Sequence, residues 1–381
     1  MRNGEDRKIS EAKEETILVT GTSGRIGYAI AKRLAKEQQS FNVIGFDRNA
    51  PSHPLTSGEW MYVDLTDEES TRRGLQAIRD LHGDRIASVI HLAAYYDFSG
   101  ASSPLYDKVT IGGTKRLLRL LQDFTVEQFI FSSTILVHAP SRHGERIKED
   151  SPLDIPSKWA YPKSKIESEN VIQAERGNIP VVILRIAGVY DDLCHSIPLA
   201  LQIQRIYERD PVAYFSPGDP SIGRHPYVHT NDVVDAILLA IARRQELSQE
   251  VILLIGEAKS LSYDELQRAF GQLIHGVEWN TRSIPPLVAR IGIRLLKLLA
   301  LGRSASIAPW MIDVAQDNME LDTTRARTML GWNPQHSLLD TLPKMVSGLK
   351  ADPFTWYREN ELKLPLWLRK QMPVAGSAKI S

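Results

Sequence analysis

Apolar runs and stretches with a helical apolar rhythm alternate along the first half of the chain. TILVT (16–20), FNVIGF (41–46), WMYVD (60–64), IASVIHLAA (86–94), QFIFSS (128–133) and PVVILRI (180–186) read as strands. Residues 26–38, 67–80, 107–122 and 158–177 read as the helices between them. The runs are rich in Val and Ile at consecutive positions, as in strands buried on both faces. Strands spaced by helices predict βαβ units, and right-handed crossovers would wind these into an α/β fold with a doubly wound parallel sheet.

After about residue 190 the rhythm changes. PVAYFSPGDPSIGRHP (211–226) is dense in Pro and Gly and reads as loop. Residues 230–244 predict a helix capped by Thr230 or Asn231. VILLI (251–255) reads as another strand, and 262–270 as a helix with Ser262 and Glu265 in capping-box spacing. Residues 321–332 predict a short helix stopped by Gly331. Residues 284–300 form a basic amphipathic helix: Leu287, Ile291, Leu295 and Leu298 make an apolar stripe, while Arg290, Arg294 and Lys297 share another face. We read it as a lobe helix packed on the core; the alternative is a surface that touches a membrane or a lipid-linked substrate. The pattern divides the chain into a mobile tail (1–14), an α/β domain (15–190, with a returning segment at about 226–256), a smaller C-terminal lobe (191–225 and 257–345) and a C-terminal extension (346–381), poorly ordered from 364.

Composition narrows the function classes. Among 381 residues, 46 Lys plus Arg cancel 46 Asp plus Glu, so no basic footprint points to nucleic acid. The single Cys194 excludes an intramolecular disulfide and a multi-thiolate metal site. The ten histidines show no metal-ligand spacing; His91 reads as core, and His138, His225 and His229 as loop residues. The charged first fifteen residues leave no room for an apolar leader core. The longest apolar candidate, Ile284 to Leu301, is interrupted by three cations. The expectation is a cytoplasmic protein without stable membrane insertion and without a bound metal.

The strongest local signal is VTGTSGRIG, with Gly21, Gly24 and Gly27 after a predicted strand and before a predicted helix. The first glycine allows the tight turn, the second lets backbone approach a pyrophosphate, and the third lets helix pack on strand. The free N–H groups of the helix start would hold the pyrophosphate, which places Ser23, Arg25 and Ile26 beside it. Asp47 ends the second strand, twenty residues after Gly27, where a carboxylate meets the ribose hydroxyls of NAD and repels the 2′-phosphate of NADP. The adjacent Arg48 could accommodate that phosphate, so NADP is the less favoured cofactor. This is a Rossmann-type reading.

Tyr161 and Lys165 stand four apart in YPKSK, on one face of a predicted helix. An ammonium beside a phenol favours the phenolate, giving an acid or base usable near neutral pH. An ordinary surface Tyr–Lys pair has the same spacing.

Together these segments resemble the extended short-chain dehydrogenase/reductase family, in its NAD-dependent epimerase/dehydratase-like branch, over roughly residues 15–345. TGTSGRIG resembles the family's glycine fingerprint, VDLTD the adenine-contacting segment with Asp64 and Leu65, and HLAA the cofactor-lining strand with Leu92, Ala93 and Ala94. FSSTILVH resembles the strand carrying the catalytic hydroxyl, here Thr134, and YPKSK the Tyr/Lys pair. LRIAGVY, GRHPYVHTNDVVDA and LGWNP resemble later family segments, the second with Arg224 where an arginine often meets substrate phosphate. Thr110 stands where the family often has Asn. The Asp-Glu pair of sugar 4,6-dehydratases is absent, since Ile135 and Leu136 follow Thr134; this argues against a 4,6-dehydratase.

The resemblance implies a small-molecule substrate held in the C-terminal, substrate-binding lobe. It implies catalytic Thr134, Tyr161 and Lys165, the last two also contacting cofactor, and a homodimer through the helices at 107–122 and 158–177. The implied activity is NAD-dependent epimerase or dehydrogenase chemistry, with hydride moving to and from a secondary alcohol or ketone of a nucleotide sugar. The alternatives are an NAD(P)-dependent reductase of a hydrophobic alcohol, of 3β-hydroxysteroid or flavonol type, and a non-catalytic dinucleotide-sensing regulator. Tyr95, Tyr96 and Asp97 would border the substrate or cap the strand.

Overall fold

The structure is a computed structural model that describes residues 15–36, 41–52, 54, 58–155, 159–299 and 309–369. The expected tail 1–14 and residues 370–381 lie outside the described residues.

Seven strands make one parallel sheet: β1 (Glu15–Thr20), β2 (Phe41–Asp47), β3 (Glu59–Tyr62), β4 (Ser88–His91), β5 (Phe129–Thr134), β6 (Val181–Ile186) and β7 (Glu250–Ile255). Their spatial order is β3-β2-β1-β4-β5-β6-β7. The order reverses between β1 and β4, which opens a crevice at the C-terminal strand ends, the place where doubly wound sheets bind ligands. The crossovers carry α1 (Arg25–Leu34), α2 (Glu68–His82), α3 (Gly112–Leu121) and α4 (Ala160–Glu175). Later come α5 (Ile197–Tyr207), α6 (Thr230–Ala242), α7 (Tyr263–His275) and α8 (Pro286–Leu299).

Strand alternation explains the continuous apolar runs. Ile17 and Val19 pack against Ile30 and Leu34 of α1 and Val233 and Ile237 of α6. Leu18 between them faces the other side, with Leu75 and Ile78 of α2 and Leu117, Leu118 and Leu121 of α3. Both faces are buried, and each such side chain contributes about 1.5–3 kcal/mol. A third core lies in the lobe, around Leu199 and Ile203 of α5, Phe270 of α7, Trp279, Leu342 and Trp356. Val346, Leu349, Tyr357 and Leu368 belong to this same core, so packing continues well past residue 345. Met319, Leu321, Leu330 and Trp332 instead join the core beneath the sheet, with Trp332 Nε1 donating to the Asp232 carbonyl (2.8 Å).

Local departures have local causes. The helix expected at 107–122 begins as a π-helical turn, Tyr106–Ile111, before α3. The cap of α6 is neither Thr230 nor Asn231 but His229, whose Nδ1 accepts the Asn231 N–H (3.1 Å); Thr230 Oγ1 is taken by the Tyr190 carbonyl (3.0 Å). The Ser262–Glu265 capping box is present, and Gly331, at φ 69°, ends the helix Thr324–Leu330. The expectation that helix 284–300 packs its stripe on the core is corrected. Leu287, Ile291 and Leu295 are 67, 49 and 52% exposed, and Ala289 is the buried side chain of α8 among the described residues. The lobe core is already filled by α5, α7 and the helix Leu338–Ala351. Leu298 and Lys297 have side chains outside the described set.

One buried acid makes the fold pH-sensitive. Glu257 accepts Tyr190 Oη–H (2.7 Å) and the Leu338 N–H (2.9 Å). Burial pushes its carboxyl up to about 7, against those two hydrogen bonds and helped by Asp232 and Asp340 nearby. The folded state therefore holds a proton that the unfolded chain releases near 4.5. This contribution to stability is complete below about 4.5 and is lost as pH rises through about 7. Glu257→Gln keeps an acceptor for Leu338 and cannot ionise. Urea unfolding across that window should show wild-type stability falling relative to the variant; parallel curves would remove Glu257 as the cause.

Candidate active site

The glycine loop connects the end of β1 to α1. Gly21, at φ 77°, adopts a backbone that L side chains rarely reach. A Cβ on Gly27 would lie 2.2 Å from the Gly21 carbonyl oxygen, so helix and turn meet at a distance only glycine permits. Gly24 caps α1 without any side-chain hydrogen bond, which leaves first-turn N–H groups for a ligand. At the end of β2, Asp47 Oδ2 accepts the Ser23 N–H and Oδ1 the Asn49 N–H, both at 3.0 Å. Its carboxylate is thereby fixed beside the loop, and Arg48 is exposed next to it. Asp64 Oδ1 accepts the Thr66 N–H (2.9 Å), and Leu65 is buried where Gly113 gives it room. A bare helix start, a loop whose Cβ positions are filled by backbone, and a fixed carboxylate one strand away together fit a dinucleotide.

The loop opens into a cavity of about 1680 Å³, larger than the roughly 300–1,000 Å³ that holds one small ligand. Gly21, Gly24, Arg25, Ile26 and Gly27 line one end with Leu92 and Ala94. Thr134, Tyr161 and Lys165 line the middle. Ser23, Asp47, Arg48, Asp64 and Leu65 lie outside this lining, on the side of β2 and β3, and Ala93, after β4 and against Gly21, also lies outside it.

The expected pair is brought together with its hydroxyl. Thr134 ends β5, its Oγ1 accepts the Leu136 N–H (3.3 Å), and it lines the same cavity as Tyr161. Lys165, one turn along α4, is buried and donates from Nζ to the Ser132 carbonyl (2.7 Å), 4.8 Å from the Phe131 ring centre. Burial removes charge from both groups. It pushes the Tyr161 phenol up to about 12, against the Thr134 hydrogen bond, and the Lys165 ammonium down to about 8, against the neighbouring Glu169 carboxylate. In the protein itself desolvation wins and the proton stays on the phenol.

Three buried polar residues near the pair, His91, His138 and Thr110, have hydrogen-bond partners. Nδ1 of His91 takes the Thr20 hydroxyl (2.7 Å) and its Nε2 meets Thr114 Oγ1 (2.9 Å). Burial pushes this imidazole down to about 3, as expected of a core histidine. His138 Nδ1 donates to the Ser151 carbonyl (3.1 Å), and Nε2 accepts from Arg185 (3.0 Å), which also pairs with Glu169 (2.7 Å). Thr110 Oγ1 accepts the Tyr95 N–H (2.9 Å) and is buried, so it holds the β4 exit in place.

Arg224 requires a correction. Its guanidinium donates to the Ser260 carbonyl (2.6 Å) and pairs with Glu265 (3.1 Å), and it is not among the cavity-lining residues. The capping-box acid of α7 has captured it. The arginine that lines the cavity in the lobe is Arg205, on an α5 stripe with Pro198, Leu201 and Gln202, alongside Arg290 from α8. Sequence reasoning missed Arg205, although its i, i+3, i+4, i+7 spacing from Pro198 marks one helix face. It also missed an aromatic wall. Trp159 stacks on Trp310 (4.3 Å between ring centres), and Tyr96 meets Tyr161 edge-on (4.8 Å). His195 lines the wall too, its Nδ1 on Asp191 (2.5 Å) and its backbone left-handed at φ 38°.

Comparison with known proteins agrees with this geometry. The pattern of the NAD dependent epimerase/dehydratase family matches residues 17–256. A UDP-glucuronate 4-epimerase of Thermodesulfobacterium geofontis is 24% identical over 356 residues, 90% of this chain and 96% of its own. Short-chain dehydrogenase/reductase family 42E member 1 of Danio rerio is 28% identical over 254 residues, 62% of this chain and 61% of its own. The structure of UDP-glucuronic acid 4-epimerase from Bacillus cereus, in complex with UDP-glucuronic acid and NAD, superimposes with a TM-score of 0.67 at 20% identity, over 88% of this chain and 99% of that one. More than half of the sequence carries the family pattern, and the chain belongs to the NAD dependent epimerase/dehydratase family, an NAD-dependent branch of the extended short-chain dehydrogenase/reductases.

Proposed function

We propose that the protein is an NAD-dependent epimerase that inverts a secondary alcohol of a nucleoside diphosphate sugar. The observation that carries this reading is that Thr134, Tyr161 and Lys165 line one cavity together with the glycine loop and residues of the lobe. NAD, when bound, supplies the hydride acceptor and a positive ring charge. Gly21, Gly24 and the α1 N–H groups hold its pyrophosphate, and Asp47 its adenosine ribose, with Asp64 and Leu65 near the adenine. The dinucleotide part is 15–190 with 226–256; the lobe supplies the substrate side.

Tyr161 Oη takes the proton from the substrate hydroxyl, and Thr134 orients that hydroxyl. Lys165 holds positive charge one turn away and favours the phenolate while the proton is off. Once the resulting ketone has turned over in the wide cavity, so that the hydride would return to the opposite face of its carbonyl carbon, Tyr161 gives the proton back to the oxygen. Arg205, in place of Arg224, faces the diphosphate. UDP-sugar epimerases are relatives over nearly the whole chain, whereas the 42E relative matches a shorter part, which favours a sugar nucleotide over a hydrophobic alcohol. The reading includes a reducing cytoplasmic setting, consistent with the lone buried Cys194, and a dimer through α3 and α4.

The direct test is incubation of purified protein with NAD and UDP-glucuronic acid or UDP-glucose, with the C4 epimer read by proton NMR. Absence of an epimer from a panel of UDP- and dTDP-sugars would overturn the sugar assignment. Tyr161→Phe should reduce turnover by about 10²–10⁴-fold with NAD affinity nearly unchanged by calorimetry; near-normal turnover would remove Tyr161 from the proton step. Asp47→Asn should weaken NAD about tenfold, the size of one lost charged hydrogen bond, while NADP binding holds or improves. Equal loss for both cofactors would place Asp47 in loop structure alone.

A further inference from the structure

Helix α8 presents an apolar face that nothing in the described structure covers. Leu287, Val288, Ile291 and Leu295 are 67, 52, 49 and 52% exposed. At about 100° per residue, these positions fall within one arc of roughly 100°. The cations lie along one border of that arc: Arg290 and Arg294 by the same geometry, both exposed, with Arg290 hydrogen-bonded to Asp313.

Charge singles out this segment. The chain as a whole is neutral, yet residues 279–312 contain Arg282, Arg290, Arg294, Lys297 and Arg303 and no Asp or Glu. An exposed apolar stripe edged by cations, on a segment that itself carries no acid, matches the surface of an anionic bilayer, with apolar side chains at the acyl boundary and guanidinium groups among the headgroups, Arg294 unlike Arg290 having no ion pair among the described residues. A soluble acidic protein would satisfy the charge but would leave the breadth of the stripe unexplained.

The stripe is also continuous with the active cavity. Val288, Ala289, Arg290 and Gly292 line that cavity from α8. Phe215, 43% exposed, lines it from the short strand Phe215–Pro217, which pairs with Arg282–Ile284 immediately before α8. Phe215 and Val288 are thus exposed and cavity-lining at once, and form an apolar rim. No helix among the described residues is long and apolar enough to cross a membrane, and in-plane docking needs none.

We propose that α8 docks the protein on an anionic phospholipid surface, lying in the membrane plane with the rim of the catalytic cavity against the headgroups. The proposal stands independently of which alcohol the enzyme acts on.

The test is co-sedimentation of the full chain with phosphatidylcholine vesicles, with and without phosphatidylglycerol. Wild type should pellet with the phosphatidylglycerol vesicles and be released by high salt. The double variant Leu287→Glu/Ile291→Glu should bind at least about tenfold more weakly. The double variant Arg282→Gln/Arg294→Gln should lose most of the preference for phosphatidylglycerol. Because all four side chains are exposed, circular dichroism and NAD titration of the variants should match wild type; a variant that fails either control is replaced by Leu295→Glu, 52% exposed on the same stripe. Wild type left in the supernatant, or stripe variants that pellet like wild type, would overturn the proposal. So would sedimentation equilibrium showing a dimer that the stripe change splits, with no vesicle binding, since the occupant would then be a second copy.

Discussion

A buried ammonium ties helix α4 to the end of strand β5, and the chemistry depends on that tie. Lys165 Nζ donates to the Ser132 carbonyl at 2.7 Å and lies 4.8 Å from the Phe131 ring centre. A buried cation left without partners costs several kcal/mol, so the helix is held at the one position where Nζ reaches both. One turn back along α4, the same anchoring brings Tyr161 to the cavity that Thr134, the strand's last residue, also lines. Phenol, hydroxyl and amine are therefore positioned by one hydrogen bond to backbone, with no flexible linker between them. Desolvation leaves the phenol protonated, at about 12, and the amine near 8. The site is an acid awaiting a charge, and the charge must come from what binds beside it.

Much of the sheet was legible because burial on both faces writes itself as consecutive apolar residues. Ile17, Leu18 and Val19 could alternate faces and still all be apolar. Caps were legible where they were local: Ser262 with Glu265, and Gly331. What stayed hidden depends on contacts between distant segments. Trp332 closes the core under the sheet by donating to Asp232, one hundred residues away. Trp356 and Tyr357 fill the lobe core together with Leu199 and Phe270. No periodicity in 346–369 announces either partner.

The candidate site divides in the same way. Thr134, Tyr161, Lys165 and the glycine loop belong to short segments whose own geometry demands those residue types, and the structure gathers them on one cavity. Arg224 shows the limit of that reasoning. Its segment has the expected residue, but Glu265 serves two donors at once, the Ser262 N–H of its own capping box (2.7 Å) and the Arg224 guanidinium (3.1 Å). A carboxylate placed there to start a helix has taken the cation with it. Arg205 and Trp310 come from the lobe, where α5 and the segment after 309 reach the cavity only through tertiary packing. The exposure of α8 was hidden for a related reason. An amphipathic pattern states that a face is apolar, and only the filled core elsewhere in the lobe shows that the face has nowhere inside to go.

The aromatic wall connects the lobe to the basicity of the phenol. Trp159 precedes α4, whereas Trp310 belongs to the lobe, and the two stack at 4.3 Å. Trp310 Nε1 donates to the Phe98 carbonyl (3.2 Å), and Gly100, at φ 77°, makes room, since a Cβ there would lie 2.6 Å from the indole. Tyr96 closes the other side of Tyr161 edge-on at 4.8 Å. The wall lowers the local dielectric around Tyr161, which raises the cost of a bare phenolate and strengthens every charge that later stabilises it. A lobe that only recognised substrate could be exchanged without effect on the proton step. This one contributes Trp310, the ring that backs Trp159 against Tyr161, so the surroundings that set the acid strength of the phenol extend into the lobe.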